Sequence, residues 1–400
     1  MKITGLESRI VAVPTRQSTN TFSLGKGAWR VAIIIELATD KGLTGLGEVV
    51  PPFHNIDFEA PKRLIDSSKP LLVGEDAANI ELIKKKLYAA YNLAHLHLHA
   101  GNWLLNGIEM ALWDLLGKEC GQPLYKIWGG AFRKKIPYFG FIQRGTPETV
   151  ARQASELVKR GFKTLYLKIG LDTETDIACV KAIRESAGYG ANIKLRVDAN
   201  QSWSPGEAIR IINRIAEYDI EFVDQPVLMY DLDGLARVSS AVAVPIASHE
   251  SSWTFYEVLN VIKKEAADII HIDPRFDAGF TGARISAGIA EAAGLPVVAH
   301  SMYELGIAQC AYMHLIASCP NFIYANQTAY DDLLDDVIAG GRLEFKDGGM
   351  DLPEKPGIGV ELDSRNMARY NSAYEENVKG QEPSHKIPPY RFMSQRRFCQ

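Results

Sequence analysis

Apolar and polar positions alternate along residues 2–13, which predicts a strand. Residues 29–39 (WRVAIIIELAT) and 43–49 (LTGLGEV) read as two more, joined by an Asp40-Lys41-Gly42 hairpin. Over 59–118 the pattern turns helical. Leu104, Ile108, Ala111, Leu112, Leu115 and Leu116 recur at helical spacing, and Gly121 and Pro123 follow as stop signals. From about residue 135 short β-like runs alternate with helical stretches, the pattern of βα units around a parallel sheet. Eight strands are expected, at 136–142, 164–168, 193–198, 220–224, 244–250, 268–273, 295–300 and 322–326. Ser204-Pro205-Gly206-Glu207 combines an N-cap, a first-turn proline and a capping-box glutamate, and Thr146-Pro147-Glu148 does similar work.

Polar residues close those strands: Lys168, Asp198, Asp224, Glu250, Asp273, His300 and Asn326, in steps of 23 to 30 residues. One βα unit per step and eight units make a closed barrel, whose active site lies where the strands end. Seven polar side chains in step after apolar runs are therefore expected to converge on one mouth, rather than to be seven separate turn residues.

Composition narrows the partners. The 400 residues are 46% hydrophobic and 23% charged, with a net charge of −4. That is a globular enzyme's composition, with no electrostatic case for nucleic acid or an anionic membrane. Apolar runs such as 31–35 are too short to span a bilayer, and the N-terminus lacks a signal-peptide apolar region, so the cytoplasm is expected. Five cysteines without a CxxC pair read as reduced thiols. Residues 379–400 hold five Lys/Arg and one Glu with interleaved aromatic and apolar residues, which reads as an arm packed on the body or a neighbouring subunit.

Asp198, Asp224 and Glu250 end three successive strands. Three carboxylates in one place repel unless a cation neutralises them, and all-oxygen ligation points to Mg²⁺ first and Mn²⁺ second. Zinc is disfavoured because no Cys or His belongs to the set. His300 beside Asp273 is a histidine oriented by a carboxylate, and Lys168 near a metal is a second candidate base. A metal flanked by two bases fits removal of a proton next to a carboxylate. Gly42-x-x-Gly45-x-Gly47 is followed by strand-like residues and prolines rather than a helix, which argues against NAD. The His95-Leu-His97-Leu-His99 run reads as surface or cap-packing residues before a second metal site.

The motifs resemble the enolase superfamily, in its mandelate racemase/muconate lactonizing enzyme branch. The marks are Gly42-Leu-Thr-Gly45-Leu-Gly47-Glu48, Ala111-Leu-Trp113-Asp114-Leu with Gly129-Gly130, Lys168-Ile-Gly170, Val197-Asp198-Ala199-Asn200 and Asp224-Gln225-Pro226. They continue with Glu250-Ser251, Asp273 with Gly279, His300-Ser301, and Pro356-Gly357-Ile-Gly359 before Asp363. The resemblance implies an α+β cap over a modified (β/α)7β TIM barrel, with an irregular last strand. It divides the chain into a cap at 1–130, a barrel at 131–336 and a C-terminal return to the cap with a tail at 337–400. It implies that Asp198, Asp224 and Glu250 hold the metal, that Lys168 is the second lysine of a K-x-K base motif, and that Asp273 and His300 are a dyad on the opposite face. A lysine-or-histidine base with Mg²⁺ is a worked example of pKa tuning for this superfamily.

Three positions depart from that pattern. Tyr166 stands where K-x-K has its first lysine, and a phenol does not depress the Lys168 pKa as a neighbouring ammonium does. Tyr166 is therefore a candidate hydrogen-bond or proton donor. Residues 324–327 (Tyr-Ala-Asn-Gln) lack the glutamate acid of racemase-like members. Phe276 lies near where cycloisomerases and dipeptide epimerases place a lysine. The cap loops at 16–20 and 54–57 look polar, so Arg16, His54, Asn200 and Asn326 are the candidate substrate-binding residues, and a hydroxylated substrate is favoured over an aryl one. The expected reaction is dehydration of a sugar acid to a 2-keto-3-deoxy acid through an enediolate. A racemase or epimerase comes next, then a cycloisomerase, then a metal-binding homologue without turnover. The expected partner is a small carboxylate, and the expected assembly a homo-oligomer.

Overall fold

The computed structural model describes residues 1–16, 29–50, 58–91, 98–188, 192–277, 279–301 and 303–380, with backbone only at 98–100. The first unit is an antiparallel meander of β1 (Ile3–Pro14), β2 (Trp29–Thr39) and β3 (Thr44–Val49). The helix Leu98–Glu119 lies on β3 at very close range. A Cβ on Gly45 would sit 2.2 Å from the Ala111 carbonyl oxygen, and one on Gly47 would sit 1.9 Å from that of Gly107. The spaced glycines of the sequence motif are thus the contact surface between strand and helix. Gly47→Ala must push the helix away, and overpacking of this kind costs about 1–3 kcal/mol. The expected result is a lower urea midpoint with an unchanged slope; an unmoved midpoint would show that the helix yields freely.

The second unit is a parallel sheet of seven strands in sequence order. They are β5 (Gly140–Ile142), β6 (Thr164–Lys168), β7 (Lys194–Asp198), β8 (Ile220–Asp224), β9 (Ile246–Ser248), β10 (Ile269–Ile272) and β11 (Val297–Ala299). Helices alternate with them. Their N-termini carry the expected caps: Ser204 and Glu207 form a capping box, and the Thr146 side chain accepts from the Thr149 amide. A second capping box, Thr254 with Glu257, opens the helix Phe255–Lys263.

Two expected strands differ. The run at 136–142 is broken: β4 (Lys135–Pro137) leaves the barrel to pair antiparallel with β12 (Gly349–Asp351), and only β5 joins the parallel sheet. The run at 322–326 contributes a single bridge, Asn326 to Tyr138. Here the Asn326 side chain replaces a ladder. Its Oδ1 accepts from the Ala299 amide at 2.9 Å and its Nδ2 donates to the Tyr324 carbonyl at 3.2 Å. With the Asn326 amide on Pro137 and the Phe139 amide on Asn326, this joins the sheet's two edges into a modified TIM barrel.

Two buried carboxylates of the first unit seat themselves on helix starts in the barrel. Glu48 on β3 accepts from the Leu305 and Ala308 amides, at 2.6 and 2.9 Å, at the start of the helix Gly306–Ser318. Glu109 accepts from the Phe280 and Thr281 amides at the start of Phe280–Ala292, and Lys84 pairs with it at 3.1 Å. Each satisfies otherwise orphaned N–H groups and meets the positive end of the helix dipole. The chain then returns to the first unit through the helix Ser364–Asn377, whose Asn371 side chain donates to the Ile10 carbonyl at 2.8 Å. Among the described residues no helix is long and apolar enough to cross a membrane.

Candidate active site

The register of the sheet aligns the first polar strand ends. Lys168 is the Cα partner of Asp198, and Asp198 of Asp224, so the three side chains stand side by side on β6, β7 and β8. Beyond β9 the chain makes a short turn, Glu250–Ser252. Gln225 fixes it: its Oε1 accepts from the His249 amide at 2.9 Å and the Ser251 amide at 3.3 Å. Asn200, Gln201 and Gln225 adopt left-handed φ values of 45°, 64° and 31° directly after β7 and β8. Strained non-glycine backbone concentrated at strand ends is a mark of a functional mouth.

The interactions there form one connected set. Lys168 Nζ is ion-paired with Asp198 Oδ2. The Tyr166 hydroxyl donates to Asp198 Oδ2 at 2.5 Å and to Asp224 Oδ2 at 3.1 Å. Asp198 Oδ1 accepts from the Asn200 amide at 2.6 Å, and the Asn200 side chain donates to Glu250 Oε1 at 3.2 Å. Tyr166 is fully buried and stacked on Phe139, with ring centres 4.4 Å apart. Burial, then the Asp198 and Asp224 charges, push its hydroxyl well above the ordinary phenol range, so it holds its proton. Burial and then the Asp198 charge push the Glu250 carboxyl up to about 7.

Across the mouth, His300 Nδ1 lies 2.7 Å from Asp273 Oδ2. Asp273 is held from three further directions: by the Arg275 guanidinium, by the Arg275 amide at 3.0 Å and by the Tyr312 hydroxyl at 2.8 Å. Burial raises the Asp273 carboxyl, but the Arg275 charge and the His300 hydrogen bond outweigh it and hold it below the ordinary carboxylate range. Burial is also the largest influence on His300. It lowers the imidazole pKa below its ordinary value, and Asp273 opposes this without reversing it. The imidazole is therefore neutral at pH 7, with Nδ1 committed to Asp273 and Nε2 left to take a proton.

Two histidines that sequence reasoning passed over complete the picture. His249 Nδ1 is 3.7 Å from Asp224 Oδ2 and 3.7 Å from Glu250 Oε2, and His271 Nε2 is 3.2 Å from Asp224 Oδ2. The expectation that no histidine joins the carboxylates does not hold. The signal was available: His271 lies two residues before Asp273, on the same face of β10, and His249 directly precedes Glu250. Arg275 and Tyr312 were also missed, since one follows a strand and the other sits in a helix that is buried along its whole length.

Of the candidate substrate residues, Asn200 is at the mouth, as described. Asn326 is spent on barrel closure, because both of its side-chain polar groups are taken by backbone; this corrects its expected substrate role. Arg16 is exposed, with its amide donating to the Asp332 carbonyl at 2.8 Å. His54 and the side chains of the His95-His97-His99 run lie outside the described residues, as do most of the cap loops and the basic tail. Phe276 stacks on Trp253 at 3.9 Å.

A divalent cation fits this mouth. Asp224 Oδ1 and Glu250 Oε2 are buried without a hydrogen-bond partner, and buried carboxylate oxygens are rarely left so unless something charged meets them. Asp198, joined to both through Tyr166 and Asn200, is the third carboxylate.

Two family descriptions match the chain: the mandelate racemase/muconate lactonizing enzyme N-terminal domain over residues 6–129, and the enolase C-terminal domain-like family over 149–366. The chain belongs to the mandelate racemase/muconate lactonizing enzyme family of the enolase superfamily. Within that family it is similar to the L-Ala-D/L-Glu epimerase of Bacillus subtilis, with 33% identity across 90% of this chain and 97% of the relative. It is 29% identical to the arabinonate dehydratase of Saccharolobus solfataricus, across 82% of this chain and 88% of that one. Among solved structures, the Enterococcus faecalis dipeptide epimerase complexed with Mg and L-Leu-L-Tyr superposes with a TM-score of 0.83 at 32% identity, covering 90% of this chain and all of that one. Enolase-superfamily proton abstraction is the chemistry this mandelate racemase/muconate lactonizing enzyme family member shares with relatives that are epimerases, dehydratases and cycloisomerases.

Proposed function

We propose that the chain dehydrates a hydroxylated carboxylic acid, of the hexonate or hexarate class, to a 2-keto-3-deoxy acid. The observation that carries this is the asymmetry of the two candidate bases. His300 is neutral, desolvated and held by Asp273 with Nε2 available, whereas Lys168 is tied to Asp198 with the Tyr166 phenol, not a second ammonium, beside it. One effective base on one face suits an elimination better than a two-base racemisation.

His300 Nε2 takes the proton from the carbon next to the carboxylate. The resulting imidazolium, stabilised by Asp273, gives that proton to the β-hydroxyl, which leaves as water. The C–H and C–O bonds break, a C=C bond forms, and the enol product tautomerises to the 2-keto acid. Lys168 stays ion-paired with Asp198, and Tyr166 orients Asp198 and Asp224 rather than acting as the acid. Asp198, Asp224 and Glu250 would hold a divalent cation, Mg²⁺ or Mn²⁺ on the family's resemblance, and that cation would supply electrophilic stabilisation of the charge that develops on the substrate carboxylate.

The second reading is an epimerase with Lys168 as the opposite base, favoured by the 33% identity to an epimerase. Incubation of hydroxylated acids, mandelate and dipeptides in D₂O distinguishes them. We expect 2-keto-3-deoxy products from hydroxylated acids and none from mandelate. Efficient epimerisation of dipeptides with deuterium at the α-carbon, and no reaction of sugar acids, would replace dehydration with the second reading.

A further inference from the structure

Among the described residues at the mouth, Asp224 Oδ1, Glu250 Oε2 and the ring nitrogens of His249 and His271 lack hydrogen-bond partners. His271 Nε2 stands 3.2 Å from Asp224 Oδ2, close enough for both to meet one ion. His249 and His271 are 4% and 1% exposed, so bulk solvent barely reaches these rings. One ligand atom each from Asp224, His249 and His271 lies within 4.8 Å of the other two. The two imidazoles stack at 4.7 Å with planes 22° apart, which presents their edges side by side. A neutral imidazole carries one N–H and one lone pair, and burying two such rings is costly unless their lone pairs meet a cation or a donor. A proton would serve only beside an acceptor, and for His249 the nearest carboxylate oxygens stand 3.7 Å away.

We propose that Asp224, His249 and His271 form a mixed nitrogen–oxygen metal site, so that this chain takes a borderline transition-metal ion of the Mn²⁺ to Zn²⁺ series in preference to Mg²⁺. Imidazole is a ligand of Zn, Fe, Ni and Cu, while Mg²⁺ prefers all-oxygen, largely hydrated shells. The inference rests on the divalent-metal reading of the proposed function and changes its donors: Asp224 is shared, two imidazoles join it, and Asp198 keeps its bonds to Tyr166, Lys168 and the Asn200 amide. The site draws on the strand end of β8, the turn after β9 and the interior of β10, three neighbouring elements of the barrel.

Two measurements on the chelator-stripped full chain test this. In the first, Mn²⁺ is added to protein containing ¹⁵N-labelled histidine, and electron spin-echo modulation is recorded. Histidine nitrogen coupling is expected. It should be retained in His300→Asn, and lost or reduced in His249→Asp and in His271→Gln. In the second, the stripped protein is dialysed against equimolar Mg²⁺ and Zn²⁺ and its metal content is read. Zinc is expected in at least tenfold excess, with the ratio falling at least tenfold in His249→Asp, which restores an oxygen donor. Mn²⁺ bound without histidine nitrogen coupling, or coupling unchanged in both the 249 and 271 variants, would overturn the mixed site and leave an all-carboxylate one. No binding of any divalent ion would sink the metal reading itself. If a variant fails to fold, the wild-type and His300→Asn spectra still decide whether histidine nitrogens bind the ion.

Discussion

His300→Asn is expected to lower kcat by roughly 10²–10⁴-fold, the usual worth of a positioned acid–base group. Asparagine keeps a polar group near Asp273 but cannot take a proton, so the loss isolates proton transfer from packing. Metal content should be unchanged, because His300 is not among the proposed ligands. Asp273→Asn should cost a large part of the same factor by a different route, since the amide no longer fixes the imidazole tautomer or stabilises the imidazolium. The pH profile follows from the direction of the shift. Burial lowers the His300 pKa, so the free base persists below the range of an ordinary imidazole and kcat/KM should fall only under more acidic conditions than an unperturbed histidine gives. Near-normal turnover by His300→Asn would move the chemistry to Lys168.

Removing the divalent ion should abolish turnover, and returning Mn²⁺ should restore it. A chelated enzyme leaves Asp224 Oδ1 and Glu250 Oε2 buried with unmet oxygens and loses the divalent charge that would counter the charge developing on a substrate carboxylate. The ion binds the folded site and not the unfolded chain, so it also stabilises by mass action, by about 2.7 kcal/mol at a concentration one hundred times its Kd. Heating scans with and without the ion, beside turnover assays, check both effects. Full activity in protein shown to be metal-free would eliminate the cation from the mechanism.

Much of the architecture was legible because barrel strands announce themselves: short apolar runs, each closed by a polar residue, at a nearly constant step. Lys168, Asp198 and Asp224 stand out in that pattern since nothing in a strand's packing calls for a charge at its end. His271 was hidden by the same logic. It sits inside β10, where a lone histidine reads as a core residue, although its place two residues before Asp273 already put it on the face of that site residue. The eighth strand was misjudged because a side chain, Asn326, does the work of a ladder there. Glu48 and Glu109 were visible as residues and opaque as functions. Their amide partners lie 171 to 260 positions away, and no local pattern encodes such distant pairs.

The return of the chain through Ser364–Asn377 has a consequence for biosynthesis. Tyr374 belongs to the apolar cluster formed by β1, β2 and the helices beside them, and its ring meets Phe58 edge-on at 6.3 Å. β1 is therefore covered by a helix that is synthesised only after the whole barrel. Until residue 374 has cleared the exit tunnel, the face of the β1–β3 meander on which this helix packs remains uncovered, and the nascent chain carries an apolar surface throughout synthesis of the barrel. The interval in which this protein most needs a holdase is set by the length of the barrel between those two segments, and a stall anywhere in the barrel leaves that surface exposed.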